Sequence, residues 1–209
     1  MKPLITSLED KKVVIFGGGK VGKRKARFFE EADVFVVGKE ITDEISRQDV
    51  KLIEKEIKTK KDISDIIKDA FIAIPATSNS EINMLIAETA RENDVLVNNV
   101  EGEEGDITLP SSISFNRFFL AISTLGRSPA FCKFMRKKFE KELGPEYDLM
   151  VKLQSEFREK LKEELSDQEK RKRMLWEILE DDEIWDLLKN NYYEKALNKC
   201  EKILGEKYG

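Results

Sequence analysis

The feature that most constrains this chain is an apolar run, Val13-Val14-Ile15-Phe16, that passes directly into Gly17-Gly18-Gly19-Lys20-Val21-Gly22 and then into a helical pattern ending near Glu30. An apolar run without polar alternation is what a strand buried on both faces requires. A second such run, Val34-Phe35-Val36-Val37, completes a strand–helix–strand unit. Further along, Val50 to Ile53 reads as a third strand and Ile63 to Lys68 as a short helix. Phe71-Ile72-Ala73-Ile74 is the next strand, stopped by Pro75, and Val95-Leu96-Val97 is another. Between them residues 80–92 read as a helix with Ile82, Leu85, Ile86 and Thr89 facing inward. Strands alternating with helices predict an α/β fold with a doubly wound parallel sheet.

Gly17, Gly19 and Gly22 satisfy G-x-G-x-x-G in the context that gives the pattern meaning, after a strand and at the opening of a helix. The first glycine permits the tight turn, the second lets backbone approach a pyrophosphate, and the third lets helix and strand pack closely. The pyrophosphate would then meet the free N–H groups and positive dipole of the helix start. Gly17, Gly19, Lys20, Val21 and Gly22 are therefore the expected cofactor-binding residues of a Rossmann-type unit. An acidic residue is expected ~20 positions on, to hold the ribose hydroxyls. Here the second strand ends Val37-Gly38-Lys39-Glu40. Glu40 comes late, and Lys39 would tolerate a 2′-phosphate, so the cofactor is NAD with NADP left open.

The pattern changes after Pro110. Phe118 to Ser123 reads as a strand, and Ser128-Pro129 as a capped helix start with proline in the first turn. That helix runs to about Leu143 and is closed by Gly144-Pro145. Met150, Leu153, Phe157, Leu161 and Leu165 then repeat at helical spacing, and Ser166-Asp167-Gln168-Glu169 has the form of a capping box. Tyr193, Ala196, Leu197, Cys200, Ile203 and Leu204 form a last apolar face. The expected domains are a Rossmann domain over 1–110, a dimerisation and substrate-binding segment over 111–145, and a small all-helical unit over 146–209.

Composition excludes several chemistries. The 209 residues contain no histidine, which removes a Ser-His-Asp triad, histidine-ligated zinc and an imidazole base. Proton transfer falls to a carboxylate, hydroxyl, lysine or water. Cys132 and Cys200 are far apart and read as buried free thiols. A net charge of −4 argues against nucleic acid as a partner. No apolar run nears the ~18 residues of a membrane span, and no signal-peptide pattern opens the chain; a cytoplasmic location without membrane association is expected.

Four segments, in order, resemble the precorrin-2 dehydrogenase family, which includes the N-terminal half of bifunctional sirohaem synthases. They are the glycine loop with Lys23-Arg24-Lys25, then Ala76-Thr77 with Asn83, then Asn98-Asn99-Val100-Glu101 with Asp106 and Pro110, and last the stretch Ala121 to Pro129. These are similar to the family's GGG-x-V-x-x-R-K, A-T-D-D-x-x-x-N, N-V-V-D with D-F-x-x-P, and A-I-S-T-x-G-x-S-P. The likeness covers residues 3–142. It implies NAD-dependent oxidation of precorrin-2, a tetrapyrrole with eight carboxylates, to sirohydrochlorin, by a homodimer joined after the Rossmann domain. Some members also insert Fe²⁺.

The local chemistry suits an anionic substrate. Between Ser111 and Lys141 the basic residues are Arg117, Arg127, Lys133, Arg136, Lys137, Lys138 and Lys141, against the single acid Glu140. Ser123, Thr124, Gly126 and Ser128 lead into a helix start that can accept a carboxylate. With Arg136 they are the expected substrate-binding residues. Dehydrogenation needs a hydride acceptor and a proton acceptor. The family's aspartate in N-V-V-D is matched here by Glu101, so Glu101 is the candidate base, with Asp106 in reserve. Lys39, Thr77 and Asn83 complete the expected cofactor-binding residues, Thr77 in contact with the cofactor and Asn83 fastening the helix that follows. No metal site is expected. Two readings stand beside this one: an added ferrochelatase activity, for which no histidine or paired cysteine offers an iron ligand, and a non-catalytic nucleotide-sensing Rossmann module, which leaves the basic segment after Pro110 without a purpose.

Overall fold

The computed structural model describes residues 2–98 and 105–208. The chain divides into two compact units, 1–109 and 110–209.

The first unit begins with β1 (Lys12–Gly18), α1 (Lys20–Phe28), β2 (Asp33–Ile41) and the single-turn α2 (Asp43–Ser46). It continues with β3 (Lys51–Glu54), α3 (Lys60–Ile67), β4 (Ile72–Pro75), α4 (Ser80–Glu92) and β5 (Leu96–Val97). The sheet is parallel throughout, in the order β3-β2-β1-β4-β5. This is the Rossmann-type doubly wound sheet expected from the sequence, with the order reversing beside β1. Val13 to Phe16 are fully buried because helices cover both faces. Val14, Phe16, Val37 and Ala73 meet Ile63, Ile67, Ile86 and Ala90 on one face. Val13, Ile15, Val36 and Ile74 meet Ala26, Phe29 and Ile45 on the other.

The second unit opens with a hairpin of β6 (Ser111–Ser114) and β7 (Phe119–Ile122), followed by α5 (Pro129–Glu142). Four helices follow: α6 (Pro145–Glu164), α7 (Gln168–Glu180), α8 (Asp182–Lys189) and α9 (Tyr193–Tyr208). Their core is Met150, Leu153, Phe157 and Leu161 packed on Met174, Ile178, Ile184, Leu188, Ala196 and Cys200. Asp148, 8% exposed, ties the hairpin turn to this core by accepting from the Arg117 backbone N–H at 2.7 Å and from its guanidinium at 2.6 Å. Both cysteines are buried and free, as expected.

Two local expectations need correction. Strand β6 was not anticipated, because Ser-Ser-Ile-Ser carries a single apolar residue. The cap of α7 is Asp167 and not Ser166: the Asp167 carboxylate accepts from the N–H groups of Glu169 and Lys170 at 2.9 and 3.3 Å. A carboxylate at that position also faces the positive end of the helix dipole, which favours it over a hydroxyl one residue earlier.

Candidate functional site

The site is built on the turn from β1 to α1. The β1–β2 register shifts between Phe16 and Gly18, and Gly17 takes φ = 132° there. A side chain at Gly17 would overlap the Ala76 carbonyl at the end of β4, so glycine alone fits. Gly22 lies buried in the first turn of α1, where a Cβ would run into the Gly17 carbonyl oxygen. Gly19, the residue preceding α1, has no atom within 4 Å of where its Cβ would stand. The loop is thus closed toward the protein at Gly17 and Gly22 and open toward solvent at Gly19. No side chain caps the helix start, and no acidic residue sits in its first turn. Its N–H groups and dipole are left for an anion, and the open face at Gly19 fits a pyrophosphate brought against backbone.

In front of this turn lies a cavity of about 670 Å³ along the carboxyl ends of β1 to β4. Gly17, Gly19, Lys20, Val21, Lys39 and Thr77 all line it. Gly22 and Asn83 do not, and each acts from behind. Asn83, 5% exposed, accepts from the Thr77 N–H and hydroxyl at 3.0 and 2.7 Å and donates to the Thr77 carbonyl at 3.1 Å. It holds the end of β4 onto α4, whose own N-cap is Asn79. Lys55, Glu56 and Ile57, just past β3, also line the cavity and were not singled out from sequence. The rule that ligands sit beyond the carboxyl ends of parallel strands was the signal that would have found them. Glu56 is held below the usual carboxylate range by Lys58 beside it, with Lys39 adding to the effect.

The proposed base Glu101 lies outside the described residues. The segment that carries it is laced together at its roots. The Asp106 carboxylate accepts from Val97 N–H at 3.0 Å and sits 3.7 Å from the Arg91 guanidinium. Ile107 N–H donates to the Val97 carbonyl, and the Asn98 amide donates to the Ile107 carbonyl at 2.9 Å. Asn98 in turn accepts from Lys25 Nζ at 2.6 Å. Burial, with Arg24 alongside, lowers the Lys25 pKa to about 8. Lys25 belongs to the motif that follows the glycine loop, but no sequence spacing announces its reach from α1 to the end of β5.

In the second unit, Ser123, Thr124, Gly126 and Ser128 come together in the turn between β7 and α5. Gly126 has φ = 78°. Ser128 caps α5, accepting from Phe131 N–H at 3.3 Å, and Thr124 accepts from Ser128 N–H at 2.9 Å. Ser123 accepts from Leu125 N–H at 3.1 Å. Arg136, two turns along α5, pairs with Glu140. Among the described residues no group of three or more carboxylates or cysteines is placed to hold a metal. No helix among them is long and apolar enough to cross a membrane.

A glycine turn closed by its own backbone, an uncapped helix start and a cavity at the switch point are the features of a dinucleotide-binding α/β protein. Residues 4–111 match the family model described as "Putative NAD(P)-binding". A precorrin-2 dehydrogenase from Methanosarcina barkeri is 40% identical, over 97% of this chain and 92% of that protein. A siroheme synthase from Ruthia magnifica subsp. Calyptogena magnifica is 28% identical over 84% of the chain, which spans only 37% of that longer protein. The solved structure of SirC, precorrin-2 dehydrogenase, shares the fold, with a TM-score of 0.75 at 23% identity over 97% of this chain and 100% of that one. The chain belongs to the precorrin-2 dehydrogenase family.

Proposed function

We propose that this protein oxidises precorrin-2 to sirohydrochlorin with NAD⁺, as a cytoplasmic homodimer. The observation that carries this reading is the glycine turn opening onto the strand-end cavity, in a chain whose family acts by dehydrogenation. NAD⁺, when bound, supplies the hydride acceptor. The N–H groups from Gly19 to Val21 receive the pyrophosphate, and Lys39, which lines the same cavity, meets the ribose. Thr77, fixed through Asn83, borders the nicotinamide side. Ser123, Thr124, Gly126, Ser128 and Arg136 receive carboxylates of the tetrapyrrole. Glu101 takes the proton that leaves with the hydride. Asp106 is the weaker candidate, because Val97 N–H already occupies one of its oxygens.

The test is an anaerobic spectral assay with precorrin-2 generated in situ and either NAD⁺ or NADP⁺. A cofactor-dependent sirohydrochlorin spectrum is expected, faster with NAD⁺. Cofactor binding with oxidation no faster than the enzyme-free rate would make the protein a sensor and overturn the proposal.

A further inference from the structure

A second cavity, about 490 Å³, lies within the helical unit between α6 and α7. Its α7 side is Gln168, Arg171, Lys172, Leu175, Trp176 and Leu179, which share one helix face by their spacing of three and four. Arg158 and Lys162, one turn apart on α6, complete it. The lining therefore holds four cations and no carboxylate, in a chain whose net charge is −4. Two of the four are committed: Lys162 pairs with Glu159 on its own helix, and Arg171 closes the end of α6 by donating to the Leu165 and Ser166 carbonyls. Arg158 and Lys172 make no ion pair among the described residues. Leu175 and Leu179 rest against the helical core and form an apolar floor. Trp176 is different: it is 57% exposed and follows Lys172 by four residues on the same face of α7.

An exposed indole beside an apolar floor, with two unpaired cations in the same lining, suits a flat ligand with an aromatic or conjugated body and several negative charges. The size is that of a small-molecule site. We propose that this face binds a polycarboxylate tetrapyrrole, the chemical class of the enzyme's own substrate and product, at a site separate from the β7–α5 turn; the choice of class rests on the dehydrogenase reading above. One edge of the macrocycle lies on Trp176, and its peripheral carboxylates meet Arg158, Lys172 and the outer N–H groups of Arg171.

The probe is uroporphyrin, a stable octacarboxylate porphyrin, titrated into the full chain while tryptophan emission is followed. Trp176→Phe identifies the signal of this residue, since Trp185 is the only other tryptophan. Uroporphyrin should quench the emission that Trp176→Phe removes. Arg158→Glu with Lys172→Glu should weaken that quenching at least tenfold while leaving the rate of precorrin-2 oxidation unchanged. Both changes are on exposed helix positions and keep the fold, which circular dichroism checks. Quenching equally strong after charge reversal, or no quenching of Trp176 in the parent chain, would overturn the proposal. So would quenching by ATP with none by uroporphyrin, which would make this a nucleotide site. The readout does not depend on turnover, so a failure of the dehydrogenase reading would show in the oxidation rate alone.

Discussion

Replacing Gly19 by alanine should separate cofactor binding from folding, and replacing Gly22 should not. At Gly19 the backbone angles are φ = −94° and ψ = −164°, open to any L residue, and the added methyl meets no protein atom within 4 Å. The folded chain has nothing to rearrange. The altered helix start costs ~0.5–1.5 kcal/mol, and the stiffer unfolded chain returns ~0.4–1 kcal/mol. Stability should thus move by less than ~1 kcal/mol, or ~2–4 °C in Tm. The methyl does stand where phosphate oxygens must approach the N–H groups. Lengthening one or two charged hydrogen bonds, at ~1.5–3 kcal/mol each, predicts NAD⁺ binding ~10–100-fold weaker. At Gly22 the methyl overlaps the Gly17 carbonyl oxygen and sits 3.1 Å from its carbon, so backbone must shift. Overpacking of this kind costs ~1–3 kcal/mol, a loss of ~3–10 °C, with binding impaired as well. Calorimetric titration with NAD⁺ and thermal melting without it measure the two effects. A Gly19→Ala protein that binds NAD⁺ within twofold of the parent would refute this placement of the pyrophosphate.

Asn83→Ala should leave the Thr77 N–H and hydroxyl without their buried acceptor, lowering stability by ~1–3 kcal/mol and weakening NAD⁺ binding; an unchanged urea midpoint would show that water replaces the amide. Lys25 gives a pH test. Its folded-state pKa is lowered, by burial first and Arg24 second, from 10.5 to about 8, so between those values the unfolded chain holds more protons and stability rises with pH. The full shift is worth ~3 kcal/mol, and solvent screening of a partly enclosed side chain reduces it to ~1–1.5 kcal/mol. Urea midpoints at pH 7 and pH 10 should show the parent gaining on Lys25→Met by that amount; a constant difference would place the ammonium in water.

What could be read in advance depended on how locally each feature is encoded. Strands β1, β2 and β4 are central, and helices covering both faces demand unbroken apolar runs. Strand β3, at the sheet edge, carries Lys51 and Glu54 in exposed positions and shows a weaker signal. The partner of β7 was missed because backbone hydrogen bonds, not side chains, make that hairpin. The glycine loop was legible because its spacing is fixed by the turn itself. Lys55 and Glu56 reach the same cavity only through the order of strands, which places β3 beside β2. The Lys25–Asn98 bond spans 73 positions of sequence, and no spacing rule connects residues so far apart. Asp106 was read for its charge, whereas its hydrogen bond to Val97 shows that it also fastens a strand end.

That fastening has a consequence for insertions and deletions. Val97, Asn98, Asp106 and Ile107 bind one another across the root of the intervening residues. The sheet thereby ends on a clasp made by residues on either side of the connection. Lengthening such a connection costs little, since closure entropy grows only with the logarithm of its length. Insertions or deletions within residues 99–104 should therefore leave β5 and the hydrogen bonds at its end in place.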